Sequence, residues 1–474
     1  MSRRNPDAMS RIDASRRMFL RNSAVASLAG AGAPFAMNLA TMSAAHAQTT
    51  SGYKALVCVF LGGGNDHANM VLATDTPSWD GYTRARNVAP APITLPLPGQ
   101  AGGVLEIVPN TLQTGRTFAL HPSMGALKTL FDAGRAAVVA NVGPLVEPLT
   151  RAQWNSRSAR TPPQLFSHND QTSIWQAYRP EGARIGWGGR MGDLFAATNG
   201  RPPFTLISAS GTAVFLAGET TMQFQTNGSG GGPQIGNLTG GLFGSTSAAN
   251  PLQAVITNDQ RANLFEREHA KIVARSIDTS QAMRTATASV TIEAPPANNN
   301  LASQLQSVAR IIAARTTLGM QRQVFYVSMG GFDTHDNQTG NHATLMQRLS
   351  DAIAYFDRVM TALGAANDVT LFTASEFGRT LTSNGDGTDH GWGAHHIVAG
   401  GAVAGKNIYG QFPLVGVDNE DNVGQGRLLP KISVDQYAGT LARWFGLTDQ
   451  QVQTIFPNIV NFPTRNLGFM NGVV

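Results

Sequence analysis

Cysteine is nearly absent from this chain, which contains one, Cys58, among 474 residues. A single cysteine cannot form a disulfide within the chain, so the fold must be stable without covalent cross-links. Cys58 lies inside the apolar run ALVCVFL (55–61), which predicts a buried strand. A thiol inside a buried strand is inert, and the sequence therefore does not favour cysteine-based catalysis.

Charge is also scarce, since Asp, Glu, Lys and Arg make up 14% of the chain and the formal net charge is +5 at pH 7. Most of the positive charge lies in residues 1–47, where two aspartates accompany six arginines: Arg3, Arg4, Arg11, Arg16, Arg17 and Arg21. The rest of the chain is nearly neutral and has no basic run interleaved with aromatic residues. This distribution predicts that nucleic acid is not a partner.

A hydrophobic run long enough to cross a membrane is missing as well. The apolar stretch 24–45 is rich in Ala and Gly, and it is interrupted by Pro34 and Asn38. It follows the paired arginines of SRRMFLRNSA (15–24) and ends in AHAQ (45–48), which has small residues where signal peptidase accepts them.

This order of arginine pair, apolar stretch and cleavage-like site resembles a twin-arginine export signal in residues 1–47. It predicts a periplasmic or extracellular mature protein, with the twin-arginine translocase as partner during export and no stable membrane span after cleavage. The alternative is a disordered basic tail, which would not explain the three features in that order.

Glycine, by contrast, is abundant, with 51 residues, and it follows apolar runs of similar design. KALVCVFLGGGND (54–66) and QVFYVSMGGFDTH (323–335) each read as a buried strand, a glycine turn and an acidic residue. A third predicted strand, VTLFTASEFGRT (369–380), ends at Glu376 and Arg379. Together with amphipathic helical patterns between them, these runs predict an α/β fold around a mostly parallel sheet.

A Gly/Ser-rich stretch at about 227–251 predicts a surface loop, and GTDHGWGAHHIVAGG (387–401) collects three histidines among glycines. Because parallel strands end at the same edge of a sheet, we expect the acids after the three strands to meet there. Several carboxylates together with imidazoles favour a divalent cation, with zinc or manganese as the leading choices and one or two ions bound. The predicted ligands are Asp66, Asp333, His335, Glu376, Asp389, His390 and His395.

Each predicted ligand also has a purely structural reading. Asp66 could cap a helix, Asp333 could cap a turn, and Glu376 could only pair with Arg379. His395 and its neighbour point in opposite directions if a strand begins there, so at most one of them would face the site.

Several segments together resemble the bacterial family known as domain of unknown function 1501. They are GGND (63–66), HPSM (121–124), LFDAGRAAVVANVG (130–143), SHNDQTSIW (167–175), GGFDTHDNQ (330–338), SEFGRT (375–380) and GTDHGWGAHHIVAGGAVAGKNIYGQFP (387–413). That family is grouped with the alkaline phosphatase and sulfatase superfamily. The resemblance implies a single three-layer α/β/α domain over residues 48–474, alkaline-phosphatase-like, with a centre of one or two metals that hydrolyses phosphate or sulfate esters.

The resemblance also implies roles for particular residues. Asp66 corresponds to the first metal-binding acid, and Phe377 replaces an expected histidine ligand that Asp389–His390, or one of His395 and His396, would restore. Ser167 is the best placed hydroxyl for a nucleophile, with His168 beside it as a further catalytic residue, although Ser167 could equally cap a helix. Arg379 is expected to clamp the oxygens of the ester.

Two functions thus follow from the sequence. The first is an exported metal-dependent hydrolase of phosphate or sulfate esters, acting on a small molecule or a polysaccharide. The alternative is a non-catalytic secreted binding protein on the same fold with a degraded active site. A metal-dependent oxidoreductase is a third reading, which nothing in the spacing demands.

Overall fold

Strand β1 (Lys54–Leu61) lies at the centre of the molecule and is buried along almost its whole length. Its side chains alternate between two apolar cores. Ala55 and Val57 pack into one core and Leu56 and Cys58 into the other, with Cys58 only 2% exposed. A strand that is apolar on both faces requires helices above and below it, and this confirms the prediction for the run 55–61.

The computed structural model describes residues 52–226 and 249–473, together with positions 238, 245 and 247. The predicted export signal and most of the predicted Gly/Ser-rich loop lie outside the described residues. The division of the chain at residue 47 therefore stays a prediction. None of the described helices combines the length and the apolar character that crossing a bilayer requires.

The central sheet is mixed but mostly parallel, with strand order β13-β5-β12-β9-β1-β8-β6-β7 and β14 paired to β5. Within it, β12 alone runs against its neighbours. Two small antiparallel sheets, β2-β4-β3 and β10-β11, lie outside it. The remaining strands are β2 (Val71–Ala73), β3 (Leu105–Ile107), β4 (Phe118–Leu120), β5 (Ala136–Gly143), β6 (Leu206–Ser208), β7 (Phe224–Gln225), β8 (Arg322–Met329), β9 (Val369–Ala374), β10 (Arg379–Ser383), β11 (Thr388–His390), β12 (Ala394–Ala399), β13 (Ile408–Tyr409) and β14 (Ile432–Ser433).

Helices cover both faces of the central sheet. The described α-helices are α1 (His67–Met70), α2 (Thr76–Arg86), α3 (Gly125–Asp132), α4 (Arg151–Ser156), α5 (His168–Ala177), α6 (Trp187–Phe195), α7 (Ala249–Ile256), α8 (Leu264–Thr287), α9 (Asn300–Ala313), α10 (Gln338–Ala362), α11 (Val434–Phe445) and α12 (Asp449–Ile455). Short 3₁₀ turns occur at Ala196–Thr198, Pro202–Phe204, Val214–Leu216 and Pro457–Asn461. Helices α3, α9 and α10 pack into one core, and α6, α11 and α12 pack into the other. The predicted α/β/α arrangement with a mostly parallel sheet is thereby confirmed.

Three adjacent parallel strands bring the predicted acidic residues to one edge of the sheet. Strand β1 pairs with β8 on one side and with β9 on the other, in registers that set Leu61 beside Met329 and Phe60 beside Ala374. The turns that follow are close, since a Cβ on Gly63, which has φ +119°, would lie 2.3 Å from the amide nitrogen of Asp333. Only glycine permits this approach of two loops.

One local expectation needs correction. Strand β9 ends at Ala374, before Glu376, and Arg379 begins the separate strand β10. The strand expected after the histidines is present, since β12 starts at Ala394 and includes His395 as a buried residue.

Candidate metal centre

The side chain of Asp333 is the centre of a cluster of nitrogen atoms. Its Oδ1 atom lies 2.7 Å from Arg379 Nη1 and 3.1 Å from His335 Nε2. The Nε2 atoms of His390 and His168 lie 3.3 Å and 3.4 Å from the same oxygen. Three imidazoles and a guanidinium group thus approach one carboxylate oxygen, on a side chain that is 46% exposed.

Separate elements position these groups. Asp333 and His335 follow β8, His168 is the first residue of α5, and His390 ends β11. In the β10-β11 hairpin, Arg379 is directly opposite His390. The cluster therefore depends on tertiary folding, because its members are far apart in the chain.

The outer nitrogen of His390, which is the Nδ1 atom on the side of the ring away from Asp333, is fixed by a backbone carbonyl. Its Nδ1 atom lies 2.8 Å from the carbonyl oxygen of Phe166, a residue with φ +71°. A carbonyl oxygen only accepts hydrogen bonds, so the proton of the neutral imidazole belongs on Nδ1. The Nε2 atom of His390 then turns a lone pair towards Asp333.

The outer nitrogen of His168 faces a carboxylate in the same way. Its Nδ1 atom lies 2.9 Å from Glu376 Oε1, which also accepts a hydrogen bond of 2.8 Å from the amide of Gly63. A carboxylate behind an imidazole is the usual outer partner of a metal-ligating histidine. The Nε2 atom of His168 is buried and has no hydrogen-bond partner among the described residues.

His335 repeats the arrangement at the more exposed side. Its Nδ1 atom lies 3.3 Å from Asp389 Oδ1, and its Nε2 atom lies 2.9 Å from His390 Nε2. Two imidazole nitrogens at hydrogen-bond distance repel each other when both carry lone pairs. These lone pairs make the side of the cluster that faces Asp333 electron-rich. A proton or a cation between the two nitrogens is therefore required.

The separations also fit a tetrahedral ion. Two ligand atoms, each about 2.1 Å from a tetrahedral zinc ion, lie about 3.4 Å apart. Asp333 Oδ1 is 3.3 Å from His390 Nε2 and 3.4 Å from His168 Nε2, and the ligand atoms of these three residues all lie within 4.8 Å of one another. The residues present therefore fit a divalent metal ion.

Ionisation of the cluster follows from its surroundings. Burial would raise the pKa of Asp333, but the hydrogen bond and charge of Arg379 outweigh it and lower the pKa. Burial lowers the pKa of His390. The hydrogen bond that His168 donates to the Glu376 carboxylate raises the pKa of His168, so that a proton and a metal ion compete for its Nε2 atom.

Phe377 supports two of the imidazoles. Its ring stacks on that of His390, with centroids 4.7 Å apart, and lies 4.9 Å from that of His168. Gly64, with φ +81°, lies against this ring, and a Cβ there would be 2.3 Å from it. The residue that replaces an expected ligand therefore holds the rings of two other imidazoles in place.

Asp66 lies in different surroundings. Its carboxylate makes two hydrogen bonds with Arg86, of 2.5 Å and 2.7 Å, and both side chains are fully buried. Gln338 donates a further bond of 2.6 Å, and Asp66 also caps α1 through the amide of Ala68 at 3.3 Å. Both carboxylate oxygens are occupied, so the structural reading of Asp66 matches its contacts, and we do not include it among the ligands.

Three other predicted residues also have contacts that occupy them. The Ser167 hydroxyl caps α5 and donates a 2.8 Å bond to Asp170. His395 Nδ1 accepts a 3.0 Å bond from the amide of Asn141. Arg379 is fully buried and is held by protein oxygens, so it supports Asp333 and is not free to clamp a substrate. Glu376 accepts a hydrogen bond from the Nδ1 atom of His168, and Asp389 lies beside the Nδ1 atom of His335, so both carboxylates are on the far side of the imidazoles from Asp333.

Sequence reasoning missed Arg86 and Phe166. Arg86 ends α2, 20 residues after Asp66, and no local pattern connects the two. Phe166 acts through its carbonyl oxygen, which any residue carries, so no side-chain signal could have identified it.

Comparisons with known proteins identify one family and several distantly similar structures. The sequence model of the family described as "Protein of unknown function (DUF1501)" matches residues 53–456. No curated protein matches the chain. Among solved structures, Ps i-CgsB in complex with k-i-k-neocarrahexaose has 7% identity and a TM-score of 0.36, with 86% of this chain and 76% of that chain covered.

Two further structures show similar values. The PsFucS1 sulfatase from Pseudoalteromonas sp. has 8% identity and a TM-score of 0.34, with 87% of this chain and 71% of that chain covered. The alkaline phosphatase from the Antarctic bacterium TAB5 has 10% identity and a TM-score of 0.30, with 86% and 99% covered.

Proposed function

The chain belongs to the family described as "Protein of unknown function (DUF1501)", and from the geometry of its candidate metal centre we propose a metal-dependent hydrolase of phosphate or sulfate esters. The observation that carries the proposal is the convergence of His168 Nε2 and His390 Nε2 on Asp333 Oδ1. Two neutral nitrogen ligands and one carboxylate are a common set for zinc, and they also suit manganese. His335 is the proposed additional ligand at the exposed side.

A divalent ion held there would supply Lewis-acid chemistry, activating water near neutral pH and offsetting the charge on ester oxygens. Glu376 and the Phe166 carbonyl keep the Nδ1 atoms of two imidazoles protonated, so that their Nε2 atoms stay available. Phe377 packs against both rings and restricts their movement.

We propose water as the nucleophile. The Ser167 hydroxyl is the alternative from the sequence, but it caps α5 and donates to Asp170 at 2.8 Å. A side-chain nucleophile would have to give up both contacts first. Ser167→Ala should therefore retain most of the activity, whereas its inactivation would identify Ser167 as the nucleophile.

We further propose one ion per chain. The position that Asp66 could provide for a second ion is taken by the guanidinium group of Arg86, at 2.5 Å and 2.7 Å. The same observation favours the second candidate function, a secreted binding protein whose centre holds a ligand without turnover.

The test combines metal content with a substrate screen. Protein purified without chelator is analysed for bound metal, then loaded with zinc or manganese and assayed on aryl phosphate, phosphodiester and sulfate substrates. We expect one equivalent of metal, and its loss in Asp333→Asn and His168→Ala. His269→Ala, on an exposed helix position outside the centre, is the matched control and should keep the metal.

The outcomes separate the two functions. Metal binding with hydrolysis of at least one ester class supports the enzyme. Verified metal with uniform inactivity on all three classes overturns the hydrolase and favours the binding protein. Absence of metal in folded protein overturns both the metal centre and the mechanism that depends on it.

We propose that the mature protein is periplasmic or extracellular and acts on a small-molecule or polysaccharide ester. The support is the arginine pair Arg16–Arg17 followed by a mildly apolar stretch. Replacing both arginines with lysine should leave the full-length chain in the cytoplasm during cell fractionation. Unchanged export of that variant would argue against the twin-arginine route.

A further inference from the structure

We propose that Arg427 binds the anionic group of the substrate beside the metal centre, an inference that rests on the proposed function and specifies its substrate as one carrying a phosphate-like or sulfate-like oxyanion. Arg379 was the residue that the sequence suggested for this role. The two arginines differ in how many of their donors are already used.

Arg379 already uses four of its five N–H donors on protein oxygens. Its Nη1 atom donates to Asp333 Oδ1 at 2.7 Å and to the carbonyl of Gly63 at 3.2 Å. Its Nε atom donates to Thr388 Oγ1 at 3.3 Å, and its Nη2 atom donates to the Thr388 carbonyl. The side chain is 0% exposed, so it cannot reach a molecule that enters from solvent.

Arg427 uses only one donor within the part of the chain that is described. Its Nε atom donates a 2.7 Å bond to the carbonyl oxygen of His390. No described residue accepts from its Nη1 or Nη2 atom, and the residue is partly exposed. Two parallel N–H groups of a planar guanidinium are therefore available, which is the geometry that binds two oxygens of a phosphate or sulfate.

The position of this guanidinium group is fixed relative to the metal ligands. Arg427 lies over the ring of Phe166, with its central carbon 5.1 Å from the ring centroid. Phe166 is the residue whose carbonyl orients His390 Nδ1. Arg427 thus contacts the proposed ligand His390 directly, and it also contacts Phe166, whose carbonyl orients the His390 ring.

A tight turn restrains the backbone of Arg427 as well. Its amide donates to the Gly424 carbonyl at 2.9 Å, and its carbonyl accepts from the amide of Val423 at 3.0 Å. Gly426, with φ +73°, packs against Leu381, where a Cβ would come within 2.4 Å of that side chain. A donor that is restrained before binding loses less entropy when a ligand arrives.

The charge of the centre also favours an anion once a divalent ion is present. Three carboxylates (Asp333, Glu376 and Asp389) contact the imidazoles, and two guanidinium groups (Arg379 and Arg427) contact Asp333 and His390. These groups together carry one excess negative charge. A divalent cation changes the excess to one positive charge, which an oxyanion would neutralise.

The experiment measures binding of inorganic phosphate and of sulfate to metal-loaded protein by calorimetry. Arg427→Gln should weaken binding by about tenfold to a hundredfold, because two charge-assisted hydrogen bonds are lost. Arg427→Lys should recover only part of the affinity, because lysine keeps the positive charge but lacks the two parallel N–H groups of a guanidinium. Arg201→Gln, at an exposed position remote in sequence from the centre, is the control and should bind normally.

Two further readouts separate anion binding from structural support of His390. Metal affinity should stay unchanged in Arg427→Gln, and with an ester substrate the KM should rise more than the kcat falls. Unchanged phosphate affinity in Arg427→Gln overturns the proposal, and so does a loss of metal equal to that in His390→Ala. Wild-type protein that binds metal and hydrolyses esters while Arg427→Gln remains normal would refute this inference alone and leave the proposed function intact.

Discussion

Asp66 and Asp333 follow adjacent parallel strands of the same design, yet their carboxylates have opposite surroundings. Asp66 is fully buried and paired with Arg86 through two hydrogen bonds. Asp333 is 46% exposed, and three imidazole nitrogens surround one of its oxygens. The strand, the glycine turn and a contacting guanidinium group are thus shared, and what differs is the exposure of the carboxylate and the three imidazoles that surround Asp333.

The difference separates a structural carboxylate from a chemically available one. A guanidinium group is charged at every accessible pH, so the charge of Asp66 is neutralised permanently by Arg86. Asp333 also contacts a guanidinium group, that of Arg379, but its cluster holds more carboxylates than guanidinium groups, and an imidazole adds positive charge only when it binds a proton, so the cluster can still accept a cation. The first site stabilises the fold, and the second can exchange protons or metal with the solvent.

Breaking the buried pair should have the largest effect. Arg86→Gln leaves the Asp66 carboxylate buried without its counter-charge, and we expect a loss of about 3–5 kcal/mol in the free energy of unfolding, measured with urea. The double variant Asp66→Asn/Arg86→Gln should regain much of this loss. A single variant as stable as wild type would show that the pair does not hold this part of the fold.

Acid should weaken the same pair. Burial would raise the pKa of Asp66, but the charge and hydrogen bonds of Arg86 outweigh it and hold the pKa well below its usual range. A depressed pKa means that the stabilisation is present above the unfolded value, about 4, and is lost as the pH falls towards the folded value. The difference in unfolding free energy between wild type and Asp66→Asn should therefore shrink below about pH 4; a constant difference down to pH 2 would contradict the pairing.

Metal should distinguish the two aspartates directly. At a free metal concentration of 100 times the Kd, binding should raise the free energy of unfolding by about 2.7 kcal/mol, seen as a higher Tm in thermal melts. Asp66→Asn should be less stable but keep this increase, whereas Asp333→Asn should fold and lose it. An equal response of both variants would remove the distinction between the two sites.

The smallest expected effect concerns the carboxylate behind His168. Glu376→Gln keeps the size of the side chain but no longer accepts a charge-assisted bond from Nδ1, and we expect metal affinity to fall by about tenfold to a hundredfold. Metal titration at fixed pH measures the change. Asp368→Asn, which does not contact the imidazoles, is a suitable control, and an unchanged Kd in Glu376→Gln would exclude the orienting role.

The sequence predicted the elements that obey periodic patterns. The apolar runs of β1 and β8 and the spacing of α10 indicated their structure, and the rule for parallel strand ends placed Asp333 near Glu376. The pairing of Asp66 could not be predicted, because Arg86 reaches it through the packing of α2 and not through a local motif. The helix cap of Ser167, by contrast, was one of two readings that the sequence already offered.

The histidines show the same limit. His390 and His395 lie five positions apart in one glycine-rich stretch, and residue type alone does not separate them. Antiparallel strand β12 draws His395 into the sheet against Asn141, while the β10-β11 hairpin turns His390 towards Asp333. Which imidazole is available is therefore decided by strand pairing at long range.

Cys58 gives the molecule a built-in reporter of its own opening. Its thiol is 2% exposed in the central strand, and the chain has no other. A thiol reagent can react there only after the sheet has separated, so the labelling rate in native buffer tracks the population of the opened state. Any cation that joins Asp333, His168 and His390 should slow that labelling, even in an assay that contains no substrate.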